Sequence, residues 1–369
     1  MIQRAPVIAC VLATLLFQNC DKDKKETTSV PEAKSEPAGI GNLQITTASE
    51  SSKRAAILPT KGSEDMSSLL GKIAVPVPEQ VKPRVNEYLP NPSVQWIIQV
   101  TPDKPLRARE IGSMFGKDWR AKYGGLTLFG REAANGLWTY LISADGREEV
   151  DGIQFAWDYF SSLPQEAQIT DVSMYQSRLE AVEQEMSRLA KVSIRSDVSP
   201  QEAHERSQYL STLGDRFDRS VAIRLVAPSG KRFAGREVWD VMLSLGLRWG
   251  DMDCFHWENP SGYGDDFYFS VWTSTEPGYF LPEQVAANQL NVEDLIFGYS
   301  IPRSADPFVV YERMREAVEY AQKRLGGKIV SDDGGQIQHE EVLKEIKAMS
   351  EELGKLGFRP GSDNALQQF

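Results

Sequence analysis

Apolar and polar residues alternate along the chain with two periods, and both periods occur in two successive blocks. In the first block, a period of two or a short apolar run predicts strands over residues 94–100, 126–129 and 137–142. Spacing of three to four residues predicts helices over residues 108–115, 153–160 and 172–189. We therefore expect an ordered domain of mixed strands and helices over residues 91–195.

The second block begins near Val221 and repeats short motifs of the first block in the same order. The paired motifs are Ile97-Ile-Gln-Val-Thr-Pro102 with Ile223-Arg-Leu-Val-Ala-Pro228, Arg109-Glu-Ile111 with Arg236-Glu-Val238, and Lys122-Tyr-Gly-Gly-Leu-Thr-Leu-Phe129 with Arg248-Trp-Gly-Asp-Met-Asp-Cys-Phe255. Internal similarity in one element order is typical of a duplicated unit, and chance similarity of short motifs is the alternative. Duplication predicts that Ile97, Leu128 and Leu141 occupy strands of one sheet, ordered as in the second block.

A strand between two helices closes the second block. Gly326-Gly327 ends a predicted helix, because glycine adopts the left-handed cap conformation without a steric penalty. Residues 328–331 alternate and predict a short strand, which Gly334-Gly335 ends. Val342, Leu343, Ile346 and Met349 recur at helical spacing among Glu and Lys, so an amphipathic helix follows. This strand requires neighbouring strands in a sheet.

Those neighbours are segments in which bulky apolar residues alternate with a mixed set. The bulky sets are Phe255 and Trp257; Phe267, Phe269 and Val271; and Leu295, Phe297, Tyr299 and Ile301. Such alternation predicts strands with one face covered by helices and the other face open.

Three segments of this block, in order, carry a resemblance to a known family. They are Gly246-Leu-Arg-Trp-Gly-Asp-Met-Asp-Cys-Phe-His256, Phe269-Ser-Val271 with Glu276-Pro-Gly-Tyr-Phe-Leu-Pro282, and residues 326–346. Residues 221–350 resemble the C-terminal domain of the cell division protein ZipA, which binds the tail of the tubulin-like division protein FtsZ. The resemblance implies the α+β class: an antiparallel sheet with helices on one face, in a split β-α-β arrangement, over a domain of residues 215–355. With the repeat, this fold is expected to be duplicated.

The same resemblance implies a docking face for the FtsZ C-terminal peptide. The family's contact positions fall on Val221, Ile223, Met252, Cys254, Trp272, Ser274, Ile296 and Gly298. Val221, Met252, Trp272 and Ile296 are expected to form an exposed apolar patch. Ser274 and Gly298 are small where the family has bulky residues. Arg224 falls on the side assigned to the core, so a register shifted by one residue is the alternative for the first strand.

The N-terminal residues 1–20 predict a signal peptide or a membrane anchor. Arg4 precedes an apolar run over residues 7–17, which is short for a membrane-spanning helix and suits a signal-peptide core. The run ends at Cys20 and resembles a lipoprotein signal, which implies acylation of Cys20. Phe17-Gln-Asn19 departs from the small residues usual before that cysteine, so a membrane span, or neither, stays open.

The composition of residues 21–90 predicts a disordered tether. Ser, Thr, Pro, Glu and Lys dominate there, and such a segment buries too little apolar surface to offset the entropy of ordering. Residues 356–369 are expected to be a flexible tail.

Composition and chemistry favour a binding protein over an enzyme. The net charge of -11 argues against nucleic acid as a partner. No histidine has a second ligand at metal spacing, and Asp265-Asp266 and Asp332-Asp333 fit acidic turns better than cation sites. Cys254 and His256 share a strand face and are the one conceivable catalytic pair. Phosphate loops, nucleophile elbows and dinucleotide fingerprints are absent, so neither a metal nor a cofactor is expected.

We therefore expect a membrane-anchored adaptor of cell division that binds the FtsZ tail at the inner membrane. The alternative is an exported lipoprotein that uses the same fold to bind an envelope protein. Acylation of Cys20 would place the domains outside the cytoplasm, where FtsZ is absent. The two hypotheses therefore differ in the side of the membrane on which the domains lie.

Overall fold

The computed structural model describes residues 3–4, 53–75, 87–141, 149–159 and 171–369. The chain forms two compact units. The first unit comprises residues 75–219 and 348–369, and the second comprises residues 1–74 and 220–347. Cys10 and Cys20 lie outside the described residues. Within the described part of the chain, no helix has both the length and the apolar character needed to cross a membrane.

The described elements follow in chain order. Before the first sheet come strand β1 (Gln3–Arg4) and helix α1 (Ser67–Leu70). The strands of the first unit are β2 (Gln95–Pro102), β3 (Leu106–Arg107), β4 (Thr127–Glu132), β5 (Trp138–Tyr140), β6 (Glu149–Asp158) and β7 (Val192–Ser196). Its helices are α2 (Ala108–Met114), α3 (Lys117–Tyr123), α4 (Val172–Met186) and α5 (Pro200–Phe217). The strands pair antiparallel in the order β5-β4-β6-β2-β7, with β3 beside β6.

Strand β6 lies where the apolar spacing predicts a helix. Residues 153–160 were expected to be helical, but they fall largely within strand β6. Ile153, Phe155 and Trp157 point into the core with Trp96 of β2, which is the period of two expected for a strand. Ala156 is buried on the opposite face with Ile97 and Phe129, against Trp138. Because β6 has apolar residues on both faces, their spacing in the sequence resembles that of a helix.

The second unit contains the sheet predicted for the second block. Its strands are β8 (Arg219–Val226), β9 (Phe233–Ala234), β10 (Arg248–Trp249), β11 (Phe255–Glu258), β12 (Phe267–Trp272), β13 (Asn291–Val292), β14 (Asp294–Ser300) and β15 (Lys328–Ser331). Its helices are α6 (Gly235–Ser244), α7 (Pro282–Ala286), α8 (Pro307–Leu325) and α9 (His339–Lys355), the last of which continues into the first unit. The sheet order is β8-β14-β12-β11-β10, with β15 and β1 also beside β8. The predicted α+β class with antiparallel pairing is confirmed.

Three strands have corresponding positions in the two sheets, but the remaining strands do not. Duplication is therefore not confirmed. Strand β2 lies between β6 and β7, and strand β8 correspondingly lies between β14 and β15. Leu128 is in β4, which pairs directly with β6. Its counterpart Cys254 precedes β11, which is separated from β14 by β12. The expected common strand order is therefore wrong for these strands, and Leu141 lies just beyond β5.

The predicted flexible tail is instead ordered. Residues Asp363–Gln368 form helix α10, which Ser362 caps by accepting a hydrogen bond from the Ala365 amide. Phe358 and Ala365 are buried, and the Gln368 side chain donates to the Leu210 carbonyl at 3.0 Å. The apolar residues of this segment are too widely spaced to show a helical period in the sequence.

Part of the predicted tether is also ordered, and we call residues 53–71 the strap. The strap packs on helices α6 and α8 of the second unit. The Trp239 indole donates to the Pro59 carbonyl at 3.2 Å, the Ser63 hydroxyl donates to Asp240 at 2.6 Å, and the Met66 amide donates to the Ser244 carbonyl at 2.8 Å. Leu58 and Leu70 are buried. The predicted boundary of the tether at residue 90 therefore does not hold.

Gly62 allows the close approach of the strap to helix α6, and its substitution tests this packing. A Cβ at Gly62 would lie 2.2 Å from the Ser244 Oγ atom. Gly62→Ala should displace the strap and cost about 1–3 kcal/mol of stability, the usual range for overpacking. We expect faster tryptic cleavage after Lys61 and Arg54 than in the unsubstituted protein. Thr60→Ala, at an exposed strap position, is the matched control. Equal cleavage rates in the Gly62→Ala and Thr60→Ala variants would contradict the packing.

Candidate functional site

Cross-strand register assigns each side chain of the second sheet to a face. Phe255 contacts the Trp239 ring of α6, with 5.0 Å between ring centroids, so the Phe255 side of the sheet is covered by helices. Val271, Phe297 and Ile223 lie successively opposite Phe255 and share that covered face. Because side chains alternate, two further rows lie on the open face. They are His256, Ser270, Gly298 and Ala222, and Trp272, Ile296 and Arg224.

The expected contact residues separate into two groups. Trp272, Ile296 and Gly298 lie on the open face, and Cys254 and Ser274 continue their strands on the same side. Val221 and Ile223 instead lie in the core, with 4% and 1% of their surface exposed. The first strand is therefore shifted by one residue from the main prediction, as Arg224 suggested. Ala222 and Arg224 therefore lie on the open face at the positions that were expected for Val221 and Ile223.

The six-membered ring of Trp272 packs over Gly298 on this face. A Cβ at Gly298 would be 2.7 Å from the Trp272 Cη2 atom. Gly298 therefore does not simply make the face shallower, because the indole ring fills the space above it. Ile296, directly opposite Trp272, is largely covered. The apolar surface of the face is therefore mainly the partly exposed Trp272 ring, and Ile296, which was expected to be exposed, is buried beside it.

A buried carboxylate lies at one end of that surface. The Asp294 side chain is fully buried and forms an ion pair with Arg224. It accepts hydrogen bonds from the Ser274 hydroxyl at 2.6 Å, the Ser274 amide at 2.8 Å and the Thr273 hydroxyl at 3.0 Å. Burial opposes ionisation, but these hydrogen bonds and the Arg224 charge more than offset it and hold the pKa of Asp294 below its ordinary value. Ser274 is thus a partner of Asp294, which the sequence analysis did not single out.

A tight turn containing Met252 lies next to the open face. Residues Asp251–Asp253 form this turn before β11, and 44% of the Met252 surface is exposed. The His256 Nε2–H group donates to the Asp251 carbonyl at 2.8 Å, and the Phe280 amide donates to the Asp253 carbonyl at 2.8 Å. The turn therefore presents Met252 to solvent while its backbone is tied to β11 and to Phe280.

Cys254 and His256 are not arranged for nucleophilic chemistry. Burial raises the pKa of the Cys254 thiol to about 12, so the thiol remains protonated near neutral pH. The Cys254 Sγ atom contacts the Met252 carbonyl at 3.4 Å. The His256 Nδ1 atom accepts a hydrogen bond from the Ser270 hydroxyl at 2.8 Å, because the other ring nitrogen must donate to a carbonyl. In the described residues, no three side chains of the metal-ligating types cluster together.

The buried His256 predicts how the stability of the second unit depends on pH. Burial lowers the pKa of His256 below its ordinary value, so folding favours the neutral ring. Its contribution to stability is complete above about pH 6.5, the unfolded-state value, and is lost as pH falls through the lower folded-state pKa. We expect the urea concentration at the unfolding midpoint to decrease as the pH is lowered below about 6.5. The decrease should be smaller for His256→Gln.

Tryptophan fluorescence follows unfolding in both proteins. Midpoints that fall equally below pH 6.5 in His256→Gln and in the unsubstituted protein would show that His256 is not the titrating group.

Comparison with known proteins identifies the part of the chain that contains this face. Residues 219–349 match the family model described as "ZipA, C-terminal FtsZ-binding domain". Proteins named "Cell division protein ZipA" are similar over about a third of this chain. The Marinobacter nauticus protein is 29% identical over 109 residues, covering 30% of this chain and 32% of that protein. The Shewanella loihica protein is 28% identical over 133 residues, covering 36% of this chain and 38% of that protein.

The similarity is confined to one part of each protein. The Shewanella woodyi protein is 27% identical over 134 residues, covering 36% of this chain and 42% of that relative. This chain thus matches less than half the length of these relatives. The resemblance that the sequence predicts for residues 221–350 is confirmed, because this part of the chain matches the ZipA C-terminal FtsZ-binding domain family.

Proposed function

We propose that this protein is an adaptor of cell division whose second unit binds the C-terminal tail of FtsZ on its open sheet face. The observation that carries the proposal is the partly exposed Trp272 ring, which packs over Gly298 beside Ile296 on a domain that matches the FtsZ-binding family. Met252 extends this surface beside the face. An apolar surface rimmed by polar groups is the usual character of a peptide-docking site.

Trp272 is the anchor of the proposed site. Its indole ring presents a large flat surface at low entropic cost, because packing on Gly298 already fixes its orientation. Tryptophan is among the residues that most often dominate binding energy at interfaces. The Arg224–Asp294 pair bounds the apolar surface at one end and discriminates against apolar peptide residues there, since its charged groups would lose hydration.

Binding of the FtsZ tail peptide by the full chain in detergent tests the proposal. Trp272→Ala should weaken binding by about 2 kcal/mol, roughly a thirtyfold increase in Kd, because it removes the anchor. Gly298→Ala should also weaken binding, since the new Cβ displaces the indole ring. Fluorescence anisotropy of a labelled peptide measures both effects.

The matched control is Trp138→Ala, which removes a half-buried tryptophan from the first unit. It should leave peptide affinity unchanged. Failure of the folded, unsubstituted chain to bind the peptide at millimolar concentration would favour an envelope protein as partner, the alternative function.

Attachment to the membrane through the N-terminal segment is the second part of the proposal. The apolar run over residues 7–17 and the cysteine that follows it support this, although both lie outside the described residues. An inner-membrane location with the units in the cytoplasm fits FtsZ binding. Acylation of Cys20 fits the envelope lipoprotein instead.

Substitution of Cys20 distinguishes these two locations. If Cys20 carries the lipid, Cys20→Ser should abolish incorporation of labelled fatty acid and release the protein from the membrane, because no anchor remains. Cys10→Ser is the matched control and should change neither property. Membrane retention of the Cys20→Ser variant, without labelling of either protein, would contradict lipidation and indicate a spanning anchor.

A further inference from the structure

The strap contacts the turn that presents Met252 through the Arg54 side chain. Its guanidinium Nη1 atom donates to Asp253 at 2.8 Å, and its Nε and Nη2 atoms donate to the two Glu283 oxygens at 3.1 Å and 3.3 Å. The guanidinium also lies 5.4 Å from the centroid of the Trp249 ring. Arg54 therefore connects the turn that presents Met252 to helix α7. The turn and the helix belong to the family-matched residues, whereas Arg54 does not.

The turn that Arg54 contacts has an unfavourable backbone conformation. Met252 and Asp253 have φ angles of 53° and 55°, in the left-handed region that residues with a Cβ disfavour. Such residues persist only where the surrounding structure holds them. Hydrogen bonds from His256 and Phe280 fix two backbone carbonyls of the turn. Arg54 also forms an ion pair with the side chain of Asp253, the residue that follows Met252.

Removal of Arg54 would also leave two carboxylates facing one another. Asp253 and Glu283 bind the same guanidinium, and the side-chain surface of Asp253 is 25% exposed. Burial raises the pKa of Asp253, the Arg54 charge opposes that rise, and the Glu283 charge adds to it. Without the cation, repulsion between the two carboxylates would push the turn away from α7.

We propose that Arg54 is a positioning residue for peptide binding, because it fixes the turn that places Met252 beside the docking face. This inference rests on the proposed function. It means that the binding site depends on the strap as well as on residues 219–349. Arginine suits the role better than lysine, since its planar fork reaches two carboxylates at once.

A double-mutant cycle on the full chain tests the inference with the FtsZ tail peptide as probe. Arg54→Ala should weaken binding about fivefold, as expected for loss of a coupled neighbouring contact. In the Met252→Ala background the same substitution should change affinity by less than about twofold, because the side chain that Arg54 positions is already absent. Arg54→Lys should restore part of the loss. Equal losses in the two backgrounds would overturn the inference.

The control variant for the strap is Ser63→Ala, which removes the hydroxyl contact to Asp240 without touching the turn. It should leave peptide affinity unchanged. A loss equal to that of Arg54→Ala would show that strap docking in general, and not Arg54, supports binding.

A measurement without peptide separates this inference from the proposed function. With ¹³C-methyl methionine labelling, the Met252 resonance should shift or broaden in Arg54→Ala and stay in place in Ser63→Ala. Met252→Leu identifies the resonance. An unchanged Met252 resonance in Arg54→Ala contradicts the positioning role, whereas absence of peptide binding by the unsubstituted chain contradicts the proposed function.

Discussion

The antiparallel ladder between β8 and β14 determines which side chains of the second unit can meet a partner. It places Ile223 opposite Phe297 in the core, and Arg224 opposite Ile296 on the open face. A shift of one residue would bury Arg224 among apolar side chains and expose Ile223, so the Arg224–Asp294 pair and the core specify the same register. The rows of side chains on the docking face follow from that pairing.

The alternation of bulky and mixed residues predicts the sheet correctly, but the register expected for β8 is wrong by one residue. The covered strands alternate clearly, because Phe255, Val271 and Phe297 are bulky and their neighbours are mixed. In β8, apolar residues occupy both faces of the strand. Arg224 is the residue whose charge indicates which face is open. The same ambiguity in β6 made a strand look helical. Short apolar runs lack the information that cross-strand pairing supplies.

The packing of the strap on the second unit could not be predicted from the sequence, for a different physical reason. Its apolar residues, such as Leu58 and Leu70, are isolated among Ser, Lys and Glu, so no period appears. Its contacts are hydrogen bonds and ion pairs to residues far along the chain, and Gly62 fits the strap to Ser244 because it has no side chain. Composition correctly indicates that such a segment cannot form a core alone, but it carries no information about docking on another surface.

The strap changes how an N-terminal anchor would act. Because the strap packs on the second unit, the chain between Cys20 and that unit's first docked residues ends near residue 53 instead of residue 90. The effective concentration of a tethered domain rises as its linker shortens, provided that the linker still spans the distance. An anchored chain would then hold the docking face nearer to the bilayer than the predicted tether allows, because the non-covalent contacts of the strap with the second unit shorten the connection, although the first unit lies between the strap and the docking face along the covalent chain.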